Sequence, residues 1–553
     1  MCGIFGWWGQ VPEEIKKNHQ LIQYRGKDDF QTISNPNWSF SHAALKIQSQ
    51  QSPITQPFPS DSAQFSGFNG EIFNWKQRAQ QLSHSIFTDI EVAHLDIEKN
   101  GFQAIGFWSG FFAGFHFCSE KEQLIIYRDF KGIKPLFYRQ FSHGIAFSST
   151  AKSLHLSSDR WNENSVVSLA TCQFNLSQDW LWEGIKEFPK GTIAIVKKDF
   201  SLTWIPFQEE LKSTNLENNL KEVLEEQVQS SVPAAWLLSG GLDSSLLASM
   251  GNEFRTLPAY SLNTGNLGRL ETDFPYAVKM ANKLNMELIE VQPFEIDLRS
   301  WIRSLSHPFG DPGALAMHWV SSKAAQDGVR VLMSGMGADE YFGGYRRHEF
   351  TDGKGFAKWK MIKAFKDVFP KEKRERLNLL TQKPLGWWLK VDPSFLQKEL
   401  RFKESGFDSG IEIDMKKMDQ NFYLVHNGLL YSDEIGMQNQ VEIRVPYLDP
   451  RITGLKPNSF YNKIELRVLA RKYVPMDIIE REKTGFGCME EQLILLHQDQ
   501  IPEIIAQIEQ SELFGGECYQ LFLKRKRTEI ESRRLWNLLI WEYWMIQQFM
   551  DYP

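Results

Sequence analysis

The feature that most constrains the fold of this 553-residue chain is a glycine turn between a short apolar run and a helix-forming segment. The apolar run 234–238 leads into Ser239-Gly240-Gly241-Leu242-Asp243-Ser244-Ser245. Glycine lets the backbone approach a ligand closely, and a helix N-terminus offers unpaired N–H groups and the positive end of the helix dipole. This order of strand, turn and helix predicts an α/β layer with a phosphate-binding site where the strand ends.

The residues around this turn repeat the alternation of strand and helix. Apolar runs at 234–238, 256–262, 287–291 and 329–333 alternate with helical segments that begin near Ser244 and cover 274–284 and 313–327. Such alternation indicates βαβ units and a parallel sheet. Beyond about residue 350 the pattern is helical to the end of the chain.

The first 205 residues have a different pattern. Short alternating or apolar runs, broken by Gly, Pro and Asn, predict strands at 39–45, 65–68, 111–117, 124–127 and 192–196. Segments near 12–22 and 89–100 favour helices, so this part is predicted to be a sheet-rich α+β domain. A polar stretch at 213–215 then opens an amphipathic helix. We therefore predict two domains, 1–205 and 214–553, with the boundary near 205–214.

Charge and composition exclude several functional classes. The formal net charge is −6, which provides no general attraction to nucleic acid or to an anionic membrane. No apolar run reaches the roughly 18 residues of a membrane helix, and the start lacks the basic region of a secretion signal. The five cysteines have neither close pairing nor metal-ligand spacing. Free thiols of this kind favour a reducing compartment, so a cytoplasmic location is expected.

The cysteine at position 2 is chemically unusual. Once Met1 is removed, Cys2 carries both a thiol and an α-amino group, whose pKa of about 7.7–8.0 leaves a useful neutral fraction to accept the thiol proton. Asn69 and Gly70 follow a predicted strand and could stabilise an oxyanion, and Asp89 could hold a substrate ammonium. Each of these residues, taken alone, is equally compatible with an ordinary structural position.

Four motifs resemble class II glutamine amidotransferase domains of the N-terminal-nucleophile fold. They are Met1-Cys2-Gly3-Ile4-Phe5-Gly6, Arg25-Gly26-x-Asp28, Asn69-Gly70-Glu71-Ile72-Phe73-Asn74 and Arg128-Asp129-x-x-Gly132-x-Lys134-Pro135-Leu136. The resemblance implies that Cys2 attacks the side-chain amide of glutamine, forming a γ-glutamyl thioester and releasing ammonia. It also implies that Asn69 and Gly70 carry the oxyanion, while Glu71 and Asp89 position glutamine.

The chain departs from that family at Ala44, where the family usually has an arginine that binds the glutamine α-carboxylate. A charge-assisted hydrogen bond contributes about 1.5–3 kcal/mol, so its loss would weaken glutamine binding roughly tenfold to a hundredfold. Lys46 is the nearest basic residue after it in the sequence. We therefore expect either a high KM for glutamine or another anchor.

The glycine turn resembles the PP-loop of ATP pyrophosphatases, and it lacks the Gly-Lys-Ser/Thr of a Walker loop. Asp243 would repel phosphate unless a cation intervened, which argues for Mg²⁺. Further motifs resemble the synthetase domain of glutamine-dependent asparagine synthetases: Ser334-Gly335-Met336-Gly337-Ala338-Asp339-Glu340 to Tyr345, Asp433, Glu442 to Asp449, Lys463 and Arg481 to Phe486. The implied architecture is an α+β N-terminal-nucleophile (αββα) glutaminase domain followed by an α/β PP-loop synthetase domain with a helical C-terminal part.

This second resemblance implies roles for individual residues. Ser239 to Ser245 (Ser239, Gly240, Gly241, Leu242, Asp243, Ser244 and Ser245) would bind pyrophosphate, with Leu238 and Leu262 lining the adenine pocket and Ser334 and Gly335 beside the nucleotide. Asp243 and Asp339 would hold Mg²⁺, and Lys483 would neutralise charge on the departing pyrophosphate or on the tetrahedral adduct. Met336 stands where the family commonly has an acidic residue, and Asp311 and Glu340 are the candidate replacements.

The motifs together predict a two-site ligase that uses glutamine, ATP and a carboxylate acceptor. The expected acceptor is aspartate, although a sugar acid or secondary metabolite stays open. An alternative is an amide- or lactam-forming synthetase with weak or no glutaminase activity, which Ala44 and Met336 favour. A third is a non-catalytic binding protein on the same scaffold. The family also implies an internal ammonia tunnel between the sites, and many relatives are homodimers.

Overall fold

The computed structural model describes residues 2–48, 54–82, 86–207, 215–265, 273–345, 348, 415–455, 462–481, 490–509 and 515–550. The strands of the N-terminal part are β1 (Cys2–Gly9), β2 (Asp29–Asn35), β3 (Trp38–Ala44), β4 (Gln64–Ile72), β5 (Gly110–Cys118), β6 (Gln123–Arg128), β7 (Phe137–Phe141), β8 (Gly144–Ser148), β9 (Ile185–Glu187), β10 (Thr192–Val196) and β11 (Leu202–Pro206). Its α-helices are α1 (Glu13–Lys17), α2 (Trp75–Leu82), α3 (Asp89–Asn100) and α4 (Glu163–Cys172). Shorter 3₁₀ segments are Asn18–Arg25, Phe102–Phe107 and Ala151–Leu154.

These strands form two antiparallel sheets. One has the order β2-β3-β1-β8-β7-β9 and the other the order β11-β10-β6-β5-β4. Aromatic side chains from both sheets interdigitate between them, with the ring centroids of Phe40 and Phe115 4.8 Å apart. On its other face the second sheet is covered by α3 through Ile90, Ala93 and Ile97. The burial of both faces explains why these strands are apolar on alternate and sometimes on successive residues.

The third sheet is parallel, as the sequence predicts. Its strands are β12 (Ala234–Leu237), β13 (Ala259–Leu262), β14 (Leu288–Val291), β15 (Val331–Met333) and β16 (Glu442–Arg444). Their order is β14-β13-β12-β15-β16, so the order reverses beside β12. In sheets of this kind the ligand crevice lies beyond the carboxyl ends of the strands at the point of reversal. The glycine turn that follows β12 lies at that point.

Helices cover this sheet and form most of the remaining described chain. They are α5 (Leu216–Gln227), α6 (Leu242–Gly251), α7 (Phe274–Lys283), α8 (Leu298–Ser304), α9 (Pro312–Gln326), α10 (Ala338–Phe342), α11 (Met415–Met418), α12 (Leu430–Gln438), α13 (Pro450–Thr453), α14 (Ile464–Ala470), α15 (Met476–Glu480), α16 (Glu490–Leu496), α17 (Ile501–Ile508), α18 (Gly515–Leu523) and α19 (Glu529–Met550). A π-helical segment, Asp419–Leu429, precedes α12, and the 3₁₀ turn Pro446–Leu448 follows β16. Across the described ranges, none of these helices is both long and apolar enough to span a bilayer.

Buried ion pairs join the N-terminal part of the chain to the C-terminal part. Arg25 Nη2 lies 2.5 Å from Asp433 Oδ2, and Arg444 Nη2 lies 2.6 Å from Glu71 Oε2. At the edge of this contact, Arg330 binds Asp28 through two hydrogen bonds of 2.7 and 2.9 Å. Because a charge buried without a partner is strongly unfavourable, these pairs favour one relative arrangement of the two parts.

Candidate functional site

Cys2 begins β1, a strand held between β3 and β8, and it pairs in register with Ala44. Only 7% of the residue is exposed. Burial raises the pKa of the thiol, which the positive N-terminus of the chain and a hydrogen bond from the backbone of Leu45 partly oppose. A thiol held protonated in this way needs a nearby base before it can act as a nucleophile.

Asn69 lies directly beside Cys2. The backbone nitrogen of Cys2 donates to Asn69 Oδ1 at 3.0 Å, while the buried Asn69 Nδ2 has no hydrogen-bond partner among the described residues. Gly70 has a φ of +127°, and a Cβ there would lie 1.8 Å from the carbonyl oxygen of Phe111. Only glycine fits position 70. The amide nitrogen of Asn69, next to the thiol, is left available to stabilise an oxyanion.

Arg25 contacts the backbone of Cys2. Its Nε donates to the carbonyl oxygen of Cys2 at 3.1 Å, and its Nη2 donates to Asp433 on α12. The sequence indicates only that the turn starting at Arg25 could brace a site. The structure places this arginine in contact with both the Cys2 backbone and the second domain.

The two acidic residues expected near glutamine lie in different surroundings. Asp89, at the start of α3, accepts a hydrogen bond from the backbone N–H of Ile72 at 3.3 Å, and burial raises its pKa to about 6. The carboxylate of Glu71 instead lies against Arg444 and Glu442. Burial raises the pKa of Glu71 and Arg444 opposes this rise, so the side chain of Glu71 is engaged at the domain contact.

The family arginine is absent at Ala44, and the next basic residue in the sequence is Lys46. Ala44 is the last residue of β3 and is buried, and Lys46 lies beyond the end of that strand. The backbone N–H of Lys46 donates to Asp28 Oδ2 at 2.8 Å. Because the strand has ended, its alternation does not fix the direction of the Lys46 side chain. An anchoring role for Lys46 therefore stays a prediction.

The glycine turn after β12 forms a compact loop. Gly240 has a φ of +73°, and a Cβ there would lie 2.5 Å from the carbonyl oxygen of Asp273. Ser239 Oγ lies 3.0 Å from Ser244 Oγ and accepts from the backbone N–H of Gly241 at 3.3 Å. The buried Ser245 Oγ has no hydrogen-bond partner within the described ranges. Backbone N–H groups and serine hydroxyls therefore cluster at the first turn of α6, an arrangement suited to phosphate.

Asp243 and Asp339 both contact Lys463 at this loop. The sequence motifs imply no individual role for this lysine. Lys463 Nζ lies 2.5 Å from Asp243 Oδ2 and 2.8 Å from Asp339 Oδ1. Asp243 Oδ1 has no hydrogen-bond partner in the described part of the chain. Two carboxylates close enough to share one cation are hard oxygen ligands of the type that Mg²⁺ prefers, so these residues fit a magnesium ion.

Other predicted nucleotide residues lie around the loop. Ser334 follows β15, where its N–H donates to the carbonyl oxygen of Arg444 at 2.8 Å. A Cβ on Gly335 would lie 3.0 Å from the backbone nitrogen of Ser244, so this glycine permits close approach to the loop. The side chain of Leu238 is fully buried, whereas Leu262 is half-buried at the end of β13. Lys483 lies outside the described residues.

Met336 is partly buried and packs against the π-helical segment and α12. Its Sδ is 4.0 Å from Ser432 Oγ and would be 3.3 Å from a Cβ on Gly428. Of the two acidic residues considered as replacements, Asp311 caps α9 and accepts from Asn427 Nδ2 at 2.6 Å. Burial, followed by the charge of Asp339, raises the pKa of Glu340 to about 7, and Tyr345 donates to it at 2.5 Å.

The fold and both sites define a two-centre protein, with a buried N-terminal thiol and a phosphate loop on one chain. A sequence profile described as asparagine synthase matches residues 215–546, and one described as a glutamine amidotransferase domain matches residues 1–203. The chain belongs to the asparagine synthase family. The family expected from the motifs is therefore confirmed.

Relatives extend over nearly the whole chain. Asparagine synthetase [glutamine-hydrolyzing] 1 of Bacillus subtilis is 26% identical over 98% of this chain and 96% of its own. Amidase chry2 of Gibberella zeae is 24% identical over 86% of this chain and 85% of its own. Among solved structures, glutamine phosphoribosylpyrophosphate amidotransferase from B. subtilis is similar at 16% identity and a TM-score of 0.29, covering 48% of this chain and 68% of that one.

Proposed function

We propose that this protein is a glutamine-dependent ligase that activates a carboxylic acid with ATP and converts it to an amide, with aspartate as the acceptor. The observation that carries the proposal is Asn69 Nδ2 beside Cys2, which has no hydrogen-bond partner among the described residues, on the same chain as the Ser239–Ser245 loop, where Asp243 and Asp339 face one cation position. The Asn69 amide suits the oxyanion of an acyl-transfer reaction. The loop suits a nucleoside triphosphate.

In the N-terminal site, ammonia is released in two half-reactions. After removal of Met1, the α-amine of Cys2 takes the thiol proton, and Sγ attacks the side-chain carbonyl carbon of glutamine. Asn69 Nδ2 and the backbone N–H of Gly70 stabilise the resulting oxyanion. The C–N bond breaks, the protonated α-amine returns a proton to the leaving nitrogen, and ammonia departs. Water then hydrolyses the γ-glutamyl thioester to glutamate and the free thiol.

Asp89 orients glutamine in this site. A substrate ammonium next to its carboxylate favours the charged form of Asp89, although burial raises the pKa of the free group to about 6. Glu71 contributes through its place beside Gly70 in β4, because its carboxylate is held by Arg444. The N-terminal-nucleophile type of αββα fold, with β1 carrying the nucleophile, is part of this proposal.

In the C-terminal site, the acceptor carboxylate attacks the α-phosphorus of ATP. The bond to the β-phosphate breaks, and pyrophosphate leaves into the Ser239–Ser245 loop. Mg²⁺, when held by Asp243 and Asp339, supplies charge neutralisation on the phosphates. Ammonia then attacks the acyl carbon of the adenylate, loses a proton and displaces AMP. Lys483 is proposed to neutralise charge on the pyrophosphate or on the tetrahedral adduct.

A second candidate differs in its acceptor and nitrogen donor. Met336 provides no acidic group beside the loop, and Ala44 provides no cation for glutamine. Both departures favour a relative that forms an amide or lactam on a larger carboxylate with little glutaminase activity. Amidase chry2 shows that chains similar to this one do not all carry the synthetase name.

The test measures AMP, pyrophosphate and amide formation from ATP, glutamine and a panel of carboxylates that includes aspartate. We expect aspartate-dependent AMP and asparagine in equal amounts. Cys2→Ala should abolish the glutamine-driven reaction and retain the reaction with ammonium chloride, and Asn69→Ala should lower glutamine hydrolysis about a hundredfold or more. Production of ADP, or no nucleotide cleavage with any acid, would refute the proposal. Activity with ammonium chloride and another carboxylate only would favour the second candidate.

A further inference from the structure

Lys463 is buried between two acidic residues from distant parts of the chain. Asp243 comes from the first turn of α6 and Asp339 from α10, and both carboxylates approach the same ammonium nitrogen, at 2.5 and 2.8 Å. Lys463 is itself only 5% exposed. Lysine is rarely buried unless it is paired. The burial of Lys463 therefore depends on its contacts with the two carboxylates.

The backbone supports the same interpretation. Lys463 has a φ of +53°, a left-handed conformation that is unfavourable for a side chain with a Cβ. Its N–H donates to the carbonyl oxygen of Phe342 at 3.0 Å, and that of Asn462 donates to Gly343 at 2.8 Å. Residues held in sparsely populated conformations by surrounding contacts concentrate at functional sites. Here the contacts fix the start of the lysine side chain next to α10.

A neighbouring glycine provides the space for the side chain. A Cβ on Gly344 would lie 1.9 Å from Asp339 Oδ1 and 2.2 Å from Lys463 Cε. Any larger residue at 344 would therefore displace either the carboxylate or the lysine. The arrangement of Asp339, Gly344 and Lys463 is a built pocket for one cation between two carboxylates.

We propose that Lys463 is an internal counter-ion that occupies the cation position between Asp243 and Asp339 and yields it to a divalent metal only when the nucleotide arrives. The proposal rests on the proposed ATP chemistry of this site. A single ammonium offsets one of the two negative charges and a divalent ion offsets both, and the two cations compete for the same oxygens. The phosphates that accompany the metal offer the released ammonium new anionic partners, so the exchange costs little only with nucleotide present.

This exchange gives Lys463 a role separate from that of a fixed phosphate ligand. In the absence of nucleotide it reduces the repulsion between two neighbouring carboxylates and prevents a metal from binding alone. With nucleotide it moves from carboxylates to phosphate, which links metal entry to ATP entry. Lys463 is in this sense a positioning residue for the metal and the triphosphate together.

The test measures Mn²⁺ binding to the full-length protein without nucleotide, by electron paramagnetic resonance of the free ion. We expect weak binding to the wild type and at least about tenfold tighter binding to Lys463→Met, because the competing charge is gone. Lys463→Met/Asp339→Asn should lose that gain. Lys472→Met is the matched control, since Lys472 is exposed and pairs with Glu217 away from the loop.

Two further measurements keep the outcome clear. Thermal unfolding of each variant checks folding. Lys463→Arg retains a cation and replaces the methionine variant if that variant is unstable. The arginine variant should bind Mn²⁺ as weakly as the wild type. ATP binding measured with Mn²⁺ should weaken in Lys463→Met. Equal nucleotide-free Mn²⁺ affinity in wild type and a folded Lys463→Met would overturn the inference, even if AMP and pyrophosphate are formed. Failure to form AMP would instead count against the proposed function.

Discussion

At the scale of single residues, the proposed glutamine site has an amide donor for an oxyanion beside Cys2 but no cation at position 44 for the substrate. Asn69 Oδ1 accepts from the backbone N–H of Cys2, and the buried amide nitrogen of Asn69 has no hydrogen-bond partner within the described structure. Ala44, paired in register with Cys2, offers no charge to the α-carboxylate. We therefore expect the catalytic step at this site to be intact while the affinity for glutamine is low.

Restoring the family residue tests that separation. We expect Ala44→Arg to lower the KM for glutamine by roughly tenfold to a hundredfold, the value of one charge-assisted hydrogen bond, with kcat almost unchanged. Initial rates of glutamate formation measure this effect. Lys46→Ala and Arg25→Lys serve as comparisons. A low-micromolar KM in the wild type that neither comparison variant alters would contradict the expected weak anchoring.

A buried pair of histidines makes stability depend on pH. Ser66 Oγ lies 3.2 Å from His94 Nδ1 and 2.9 Å from His116 Nδ1. Burial lowers the pKa of His94 to about 4 and that of His116 to about 3. Unfolded histidine titrates near 6.5, so between about pH 6.5 and 4 the unfolded chain binds more protons than the folded one.

The free energy of unfolding should therefore fall as the pH is lowered through this window. Urea unfolding at pH 7 and pH 5 measures the change. His116→Asn should reduce the pH dependence, because a group that titrates only when unfolded is removed. An equal dependence in wild type and this variant would exclude His116 as a contributor.

At the scale of elements, Arg444 connects strands that belong to different sheets. From β16 its guanidinium lies 2.6 Å from Glu71 of β4 and 2.7 Å from Glu442, and it donates to the carbonyl oxygen of Gln229 at 2.7 Å. Its own carbonyl accepts from Ser334 beside the nucleotide loop. One residue thus contacts the strand that carries the oxyanion pocket and the strand end beside the phosphate loop.

Removing this guanidinium should be costly. We expect Arg444→Met to lower the free energy of unfolding by about 3–5 kcal/mol, because two buried carboxylates lose their cation. Adding Glu71→Gln should recover part of that loss, since only one buried charge then stays. Chemical denaturation of the four proteins in this double-mutant cycle gives the coupling energy. Strictly additive effects would show that the two side chains do not interact.

At the scale of the whole molecule, residues of both domains line a small cavity whose free volume of about 10 Å³ has room for about one water molecule. Its lining mixes apolar and polar residues, including Ala151, Leu430, Ser306 and Glu434. Arg25, which contacts Cys2, also lines it. A space of this size admits one ammonia molecule, and we expect it to lie on the ammonia route between the two proposed sites.

Narrowing the cavity should uncouple the sites. We expect Ala151→Leu to leave glutamine hydrolysis within about twofold of wild type and to lower amide formed per glutamine hydrolysed, because released ammonia no longer reaches the adenylate. Parallel assays of glutamate and amide measure the ratio. Overpacking costs about 1–3 kcal/mol of stability, so the ammonium chloride reaction is the control for folding. An unchanged ratio in a folded variant would place the ammonia route elsewhere.

The sequence alone determined the features that depend on neighbouring residues. Glycine at 240 and 70 marks backbone conformations that other residues tolerate poorly, and the alternation of strands and helices predicted the parallel sheet. The short strand β16 was not predicted, because only one of its three residues is apolar and it lacks the apolar run that indicated β15. The loop, the nucleophile and the family could all be read from local motifs.

Only the tertiary structure decided which distant charges meet. Lys463 and Asp243 are 220 positions apart, and nothing in the local pattern of either residue indicates that they share a contact. The same holds for Glu71, whose sequence motif implied glutamine while its carboxylate lies on Arg444. Periodicity and turn chemistry report on the nearest turns of chain, whereas the partner of a buried charge is chosen by how whole elements pack.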